Sequence, residues 1–301
     1  MNQPSRILVA VDFSRPGRAA FDQALALSRE HGAELTVVHA VPVNRPFSWR
    51  ARERIALIAK LREIADSRGV RFRVGVQHGD PAGVILLHAQ SRRPDLVVLG
   101  THQRTGLDRL RTGSVAERVV SQAAQPVLVV PARPTDAIRS FDNILVAVDF
   151  SDTSNRAVEQ AVALAARSKG RVTLLHVLPG SPNGVPRHLY RYGAAEYQNG
   201  MTRDAWRHLH GVVPRDATVV AQIHARVVTG DAATEIARIA AETDADLIAV
   251  GVTRRGALSR KLFGGTAARV MRIAGQPVIA VPESPSRVRV REERDTGTLA
   301  A

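Results

Sequence analysis

Apolar residues in the first part of the chain gather into five short runs, at 7–11, 35–41, 72–77, 96–100 and 127–130. The runs are rich in Val, Ile and Leu and mostly lack polar alternation, which suits strands of a parallel sheet covered on both faces. Between them the apolar spacing changes to three and four. Ala20, Ala24 and Leu27 mark one stripe, and Val115, Val119 and Ala123 another, as expected of helices packed by one side. Asp80-Pro81 supplies an N-cap followed by a proline at the first helical position. Strand and helix alternating in this way predict a doubly wound α/β domain with right-handed crossovers. Ligands of such sheets sit beyond the carboxyl ends of the strands, where strand order reverses. That rule directs attention to Asp12, Gly100 and the loop after it.

The pattern then repeats. Ile7-Leu-Val-Ala-Val-Asp-Phe-Ser14 recurs letter for letter as Ile144 to Ser151, and His39-Ala-Val is echoed by His176-Val-Leu. Gly79-Asp-Pro-Ala, Asp95-Leu-Val-Val-Leu-Gly100 and Gln125-Pro-Val-Leu-Val-Val-Pro131 return as Gly230-Asp-Ala-Ala, Asp246-Leu-Ile-Ala-Val-Gly251 and Gln276-Pro-Val-Ile-Ala-Val-Pro282. The chain is a tandem duplication whose second copy carries about fourteen extra residues between His176 and Gly230. The period is too long for a solenoid unit, and each copy is large enough to bury its own core. The expected domains are 1–134 and 141–283, each with a five-stranded parallel sheet flanked by helices. The connection between them is short, which predicts an intramolecular pseudo-dimer. Residues 284–301 lack apolar periodicity and read as a disordered basic tail; the alternation over 287–291 offers at most a short edge strand.

Composition removes several classes of chemistry. The absence of cysteine excludes disulfides, thiol catalysis and thiolate metal sites. The N-terminus shows no signal-peptide pattern and no apolar run reaches membrane-spanning length, so a soluble, cytoplasmic protein without membrane partners is expected. The net charge of +14 would attract polyanions. Its arginines are scattered, however, and the few aromatic residues form no stacking repeat, so nucleic acid is not the expected partner. Among ten histidines the closest pair is His208-x-His210, and no His-Glu-x-x-His occurs, so no metal set is expected. Gly251-x-x-x-x-Gly256 continues with Ala-Leu where a P-loop needs Lys and a hydroxyl. No Gly-x-Ser-x-Gly elbow is present. Nothing assembles a nucleophile, a base and an orienting partner, so an enzyme is not expected.

One stretch carries candidate chemistry. Gly100-Thr-His-Gln103-Arg-Thr-Gly-Leu-Asp-Arg-Leu-Arg-Thr-Gly113-Ser114-Val-Ala-Glu117 reads as a strand ending in glycine, a basic loop, and Gly-Ser opening a helix. Glycine admits close backbone approach, and a helix N-terminus offers unpaired N–H groups to phosphate. Arg104, Arg109 and Arg111 add positive charge. A structural reading competes: Ser114-x-x-Glu117 is a capping box and explains Ser114 without a ligand. Likewise, Asp12 and Asp149 can serve as acceptors at a helix start, and His39 and His176 can pack at strand ends.

Taken together, the strings Ile-Leu-Val-Ala-Val-Asp-Phe-Ser, His-Ala-Val, Gly-Asp-Pro-Ala, Asp-Leu-Val-Val-Leu-Gly-Thr-His and Gly-Ser-Val-Ala-Glu-Arg-Val resemble the universal stress protein family, one domain per copy. The resemblance implies an adenine-nucleotide alpha-hydrolase-like fold, frequent dimerisation along the last strand, and adenine-nucleotide binding in many members without strong catalysis. Nucleotide-binding members carry Gly, two residues, Gly, nine residues, then Gly followed by Ser or Thr. Carried over, Asp12 would meet the adenine, the backbone at Ala40 and Leu99 would line the base, and Gly100, Gly113, Ser114 and Val115 would hold ribose and phosphates. Gln103 stands where the family has its second glycine, a costly exchange if that position needs positive φ. The second copy keeps Asp149, Val177, Gly251 and Gly264. It has Arg254 at the second glycine, Gly265 in place of the hydroxyl residue, and Thr266 one step late, so it resembles the binding pattern less. ATP or another adenine nucleotide is the implied ligand, with Mg²⁺ entering only alongside it.

Three functions follow as alternatives: a stress protein that responds to nucleotide by changing domain pairing or partner affinity, a ligand-independent interaction module of the same fold, and a weak nucleotide hydrolase. The two copies are expected to pair through residues 127–130 and 278–281, with further homo-oligomers and protein partners open. The extra segment over 179–197 contains every tyrosine of the chain. It reads either as a lid over the second site or as a plain surface insertion.

Overall fold

A computed structural model describes residues 4–41, 72–101, 114–132, 141–166, 168–180, 194–214, 221–253 and 265–283, with isolated positions 55, 56, 59 and 63. The first copy contains β1 (Arg6–Ala10), α1 (Arg15–His31), β2 (Glu34–Val41), β3 (Phe72–His78), α2 (Pro81–Arg92), β4 (Leu96–Thr101), α3 (Ser114–Gln122) and β5 (Val127–Pro131). The second contains β6 (Asn143–Ala147), α4 (Asp152–Ala165), β7 (Arg171–Pro179), α5 (Ala194–Gly211), β8 (Gln222–Gly230), α6 (Ala232–Glu242), β9 (Leu247–Val252), α7 (Gly265–Ile273) and β10 (Val278–Pro282). No helix among the described residues is long and apolar enough to cross a membrane.

The apolar runs are strands; β1, β2, β4 and β5 are covered on both faces, as their lack of alternation predicted, whereas β3, at the edge of the sheet, has no fully buried residue. In β1 and just beyond it, Ile7, Val9 and Val11 pack with Phe21, Ala24 and Leu27 of α1, while Leu8 faces the opposite layer with Ile85 of α2 and Val119 of α3. Local chemistry sets the helix ends. The Ser14 hydroxyl accepts the Gly17 N–H at 3.2 Å to open α1, and Gly32 closes it at φ 65°, where a side chain would be strained. Asp80 caps α2 through the Gly83 N–H at 3.0 Å, with Pro81 at the first helical position.

Strand order in the first copy is β3-β2-β1-β4-β5, so order reverses between β1 and β4. The second copy follows the same plan, and the two half-sheets fuse into one ten-stranded sheet, β3-β2-β1-β4-β5-β10-β9-β6-β7-β8. Every pairing among the described strands is parallel except β5 with β10. The expectation of two five-stranded sheets is thus met within a larger unit, joined at the predicted edge. Leu128 lies opposite Ile279, flanked by Val127–Ala280 and Val129–Val278. Leu128 and Ile279 are equivalent positions of the duplication, so the pairing maps onto itself and a local two-fold axis passes between them. Both are fully buried, and their core layer runs unbroken from Leu27 of α1 to Ala157 of α4. Two apolar edges that would each invite aggregation thereby cover one another.

The copies differ at the outer end of the first half-sheet. His88 of α2 lies over β3, where a side chain at Gly75 would come within 2.9 Å of its ring. Both ring nitrogens are buried without a hydrogen-bond partner. The equivalent residue of α6 is Ile239. Burial, and secondarily the charge of Arg92, push the His88 pKa below its ordinary 6.5. The folded state therefore resists a proton that the unfolded state accepts, and stability falls as pH drops below about 6.5. Melting curves at about pH 7.5 and about pH 5.5 should show a smaller acid-induced loss in His88→Ile than in the parent chain. Equal losses would assign the acid sensitivity elsewhere.

Candidate functional site

The reversal of strand order opens a cleft above the carboxyl ends of β1 and β4, and a cavity of about 220 Å³ occupies it. Ala10, Val11 and Asp12 line it from the β1 side, Val38 and Ala40 from β2, and Leu99, Gly100 and Thr101 from β4. Helices close the remaining sides through Gly17 of α1, Pro81 and Ile85 of α2, and Val115 and Ala116 of α3. The walls are mainly apolar, with the Asp12 carboxyl as their one charged group among the lining residues. Pockets for drug-sized ligands run to roughly 300–1,000 Å³, so this space is sized for a small molecule or part of a larger one.

Asp12 is held by its own turn. Its Oδ1 accepts the Ser14 N–H at 3.1 Å and the Ser14 hydroxyl at 2.5 Å. Between them Phe13 takes φ 60°, a conformation rare for a bulky residue, and leans on His39 with ring centroids 5.5 Å apart. The His39 Nδ1 donates to the Val11 carbonyl at 2.6 Å, fixing the ring at the strand end. The second copy repeats the turn: Phe150 has φ 64°, and its ring lies 4.4 Å from His176 and 5.2 Å from His208. His39 and His176 therefore pack as strand-end supports, and His208 of α5 lies against the Phe150 ring. Among the described residues no group of His, Asp and Glu is placed to hold a metal ion.

The strand-end glycines have a structural cause. A Cβ on Gly100 would sit 2.4 Å from the Pro16 carbonyl carbon and oxygen and 2.8 Å from the Gly17 nitrogen. On Gly251 it would meet the Thr153 carbonyl carbon and the Ser154 nitrogen, each at 2.6 Å. In both copies the first helix descends onto the strand end through this gap. The close approach read from the sequence as an approach to ligand is at least an approach of helix to strand.

The second cavity, at the equivalent place, measures about 130 Å³. Asp149, His176, Val177, Gly251, Thr266 and Ala267 are among its lining residues. Ser154 stands where the first copy has Gly17 and is among the lining residues. Burial pushes the Asp149 carboxyl up, but the Ser151 hydroxyl and N–H, with the Ser154 hydroxyl, more than offset it and hold the group below its usual range.

Of the residues singled out from sequence, Asp12, Ala40, Leu99, Gly100 and Val115 meet around the first cavity. Asp149, Val177, Gly251 and Thr266 meet around the second. Ser114 and Gly265 open α3 and α7. Gln103, Gly113, Arg254 and Gly264 lie outside the described residues, as do the chain beyond 283 and residues 181–193 of the expected lid. Around the first cavity, sequence reasoning missed Ala10, Val11 and Val38 on the strands, Gly17, Pro81, Ile85 and Ala116 on the helices, and Thr101 at the end of β4. Pro81 alone had a signal, since the Asp80-Pro81 cap marks a helix start, and helix starts in this fold face the cleft.

Known proteins align along the same duplication. The model of the "Universal stress protein family" matches residues 4–131 and again 140–282. A universal stress protein of Mycobacterium tuberculosis, Rv2005c, is 26% identical over 312 aligned positions, covering 94% of this chain and all of that protein. Universal stress protein MJ0531 of Methanocaldococcus jannaschii is 33% identical across 43% of this chain and 83% of its own length. The crystal structure of a universal stress protein from Archaeoglobus fulgidus superposes with a TM-score of 0.69 at 20% identity, covering 93% of this chain and 99% of the other. With both copies matched from first strand to last, the chain belongs to the universal stress protein family.

Proposed function

We propose that the first copy binds an adenine nucleotide as a regulatory ligand and that the second binds it more weakly or not at all. One observation carries the reading. The larger cavity lies at the reversal of strand order, has apolar walls sized for a base, and places the Asp12 carboxyl and the backbone at Ala40 and Leu99 along them. A carboxylate beside strand-end backbone suits the exocyclic amine and ring edge of adenine. Ribose and phosphates would extend toward the N-terminus of α3, with Gly113 and Ser114, where unpaired N–H groups favour anions. The smaller second cavity, lined by Ser154 where the first has Gly17, supports the expectation of unequal sites. The reading is one of binding, with Mg²⁺ entering only with the nucleotide.

Titration calorimetry with ATP tests it. Asp12→Ala is expected to weaken binding by about tenfold or more, since a hydrogen bond to a charged group contributes about 1.5–3 kcal/mol. Asp149→Ala should leave the tight site in place. Gln103→Gly should leave affinity unchanged or raise it, because glycine restores the family pattern there. Loss of binding in Gln103→Gly, or a tighter second site, would count against the proposal. A second reading rests on the close packing of Gly100 against Pro16 and the capping bonds of Asp12, which explain both residues without any ligand. On that reading the protein is an interaction module, and it takes over if the chain binds no adenine nucleotide. ATP turnover that depends on Asp12 would instead support the hydrolase.

A further inference from the structure

Two helices wall the first cavity on one side, and a single carboxylate ties them together. Asp80 Oδ2 accepts the Gly83 N–H that opens α2, at 3.0 Å. The same carboxylate accepts a hydrogen bond from Arg118 Nη1 of α3 at Oδ1, 3.0 Å, while Nη2 pairs with Oδ2 as an ion pair at 2.9 Å. The Gly83 N–H first, and then Arg118, hold the Asp80 carboxyl below its usual range. The joint falls where the helices meet the cleft: Pro81 follows Asp80 directly, and Arg118 lies about one turn beyond Val115 and Ala116, all three lining the cavity.

The second copy keeps the same pair at the equivalent positions of the duplication. Arg269 of α7 grips Asp231 through Nη1 to Oδ2 and Nη2 to Oδ1, both at 2.7 Å, and Asp231 caps α6 through the Thr234 N–H at 3.1 Å. Elsewhere these helices have diverged, with Ile239 for His88 and Ile273 for Gln122. Both partners of the first fork are about half exposed, so the pair adds little to global stability. A hydrogen bond beside a second close contact to a planar guanidinium, or two parallel bonds as in the second copy, nevertheless fixes distance and angle together. A contact that fixes geometry while adding little stability, placed where the geometry shapes a cavity, is a positioning contact.

We propose that Asp80 and Arg118 are positioning residues that set the separation of α2 and α3 at the cleft, and through it the affinity of the first site for nucleotide. The inference rests on the nucleotide reading for its functional consequence and on the fold alone for its structural one, so two measurements separate them. The chain lacks cysteine, so spin labels can be placed uniquely on the exposed Leu87 of α2 and Gln122 of α3. Arg118→Gln and Arg118→Lys should both broaden or shift the distance between these labels, because lysine keeps the charge but cannot form the fork. An unchanged distance in both variants overturns the proposal, whether or not ATP binds.

In unlabelled protein well below its melting temperature, Asp80→Asn, Arg118→Gln and Arg118→Lys should each weaken ATP binding roughly threefold to tenfold, with the Asp80→Asn/Arg118→Gln double variant no worse than the singles. Asparagine still caps a helix, so Asp80→Asn keeps α2 closed. Full affinity in Arg118→Lys, or variants that melt earlier yet bind ATP like the parent, would overturn the positioning role. A parent chain that does not bind ATP would sink the nucleotide reading, and the label distances would still decide the structural claim.

Discussion

Leu128→Asp is expected to destabilise the chain by at least about 4 kcal/mol, the sum of a lost buried leucine and a carboxylate stranded without water. The site makes the effect large. Leu128 is fully buried and faces Ile279 across the only antiparallel pairing among the described strands. An aspartate there would face Ile279 across the two-fold axis, with no described polar partner beside it. The core layer through this point is shared by both copies, so the damage would spread to both. Denaturant unfolding should show a lower midpoint and, once the seam parts, two transitions where the parent has one. Ile279→Asp should behave the same way, because the axis makes the two positions equivalent. A Leu128→Asp protein that melts like its parent would mean the half-sheets are not joined through these strands.

Gly100→Val is expected to be nearly as damaging, by more than about 3 kcal/mol, because overpacking against backbone cannot be relieved by a rotamer change. The added Cβ would lie 2.4 Å from the Pro16 carbonyl, so α1 must lift from the end of β4. That displacement moves Gly17 and the Asp12 turn, both on the cavity wall, so any fraction that still folds should lose nucleotide binding as well. Gly75→Ala is the control: its Cβ would meet only the ring of His88 at 2.9 Å, a side chain able to shift. Its melting temperature should fall much less. Equal losses for the two variants would mean that α1 is not docked through Gly100.

Most of the architecture was legible because it rests on short-range signals. Unbroken Val, Ile and Leu runs alternating with helical stripes favour strands buried on both sides, and the duplicated strings fix where the second copy begins. The pairing edge followed from the family resemblance and from the cost of leaving two apolar strands open. The site was legible at its strand ends, where the rule about reversed strand order applies directly. It was not legible where the cause lies across space. Nothing near Gly100 in sequence announces that Pro16 fills the gap beside it, so a packing glycine looks the same as a binding one. Asp80 shows itself as a cap, but its second partner, Arg118, is thirty-eight residues away and carries no local mark. Ser154 in place of Gly17 is visible as a difference between the copies. Its place among the lining residues depends on where the first helix enters the cleft.

Native mass spectrometry of the full chain with ATP tests the central claim most directly, because it counts ligands per molecule. The predicted result is one tightly held adenine nucleotide per chain, lost in Asp12→Ala and retained in Asp149→Ala, with a second appearing only at much higher ATP. A parent chain that holds no nucleotide, or one whose nucleotide survives Asp12→Ala and disappears with Asp149→Ala, would contradict it.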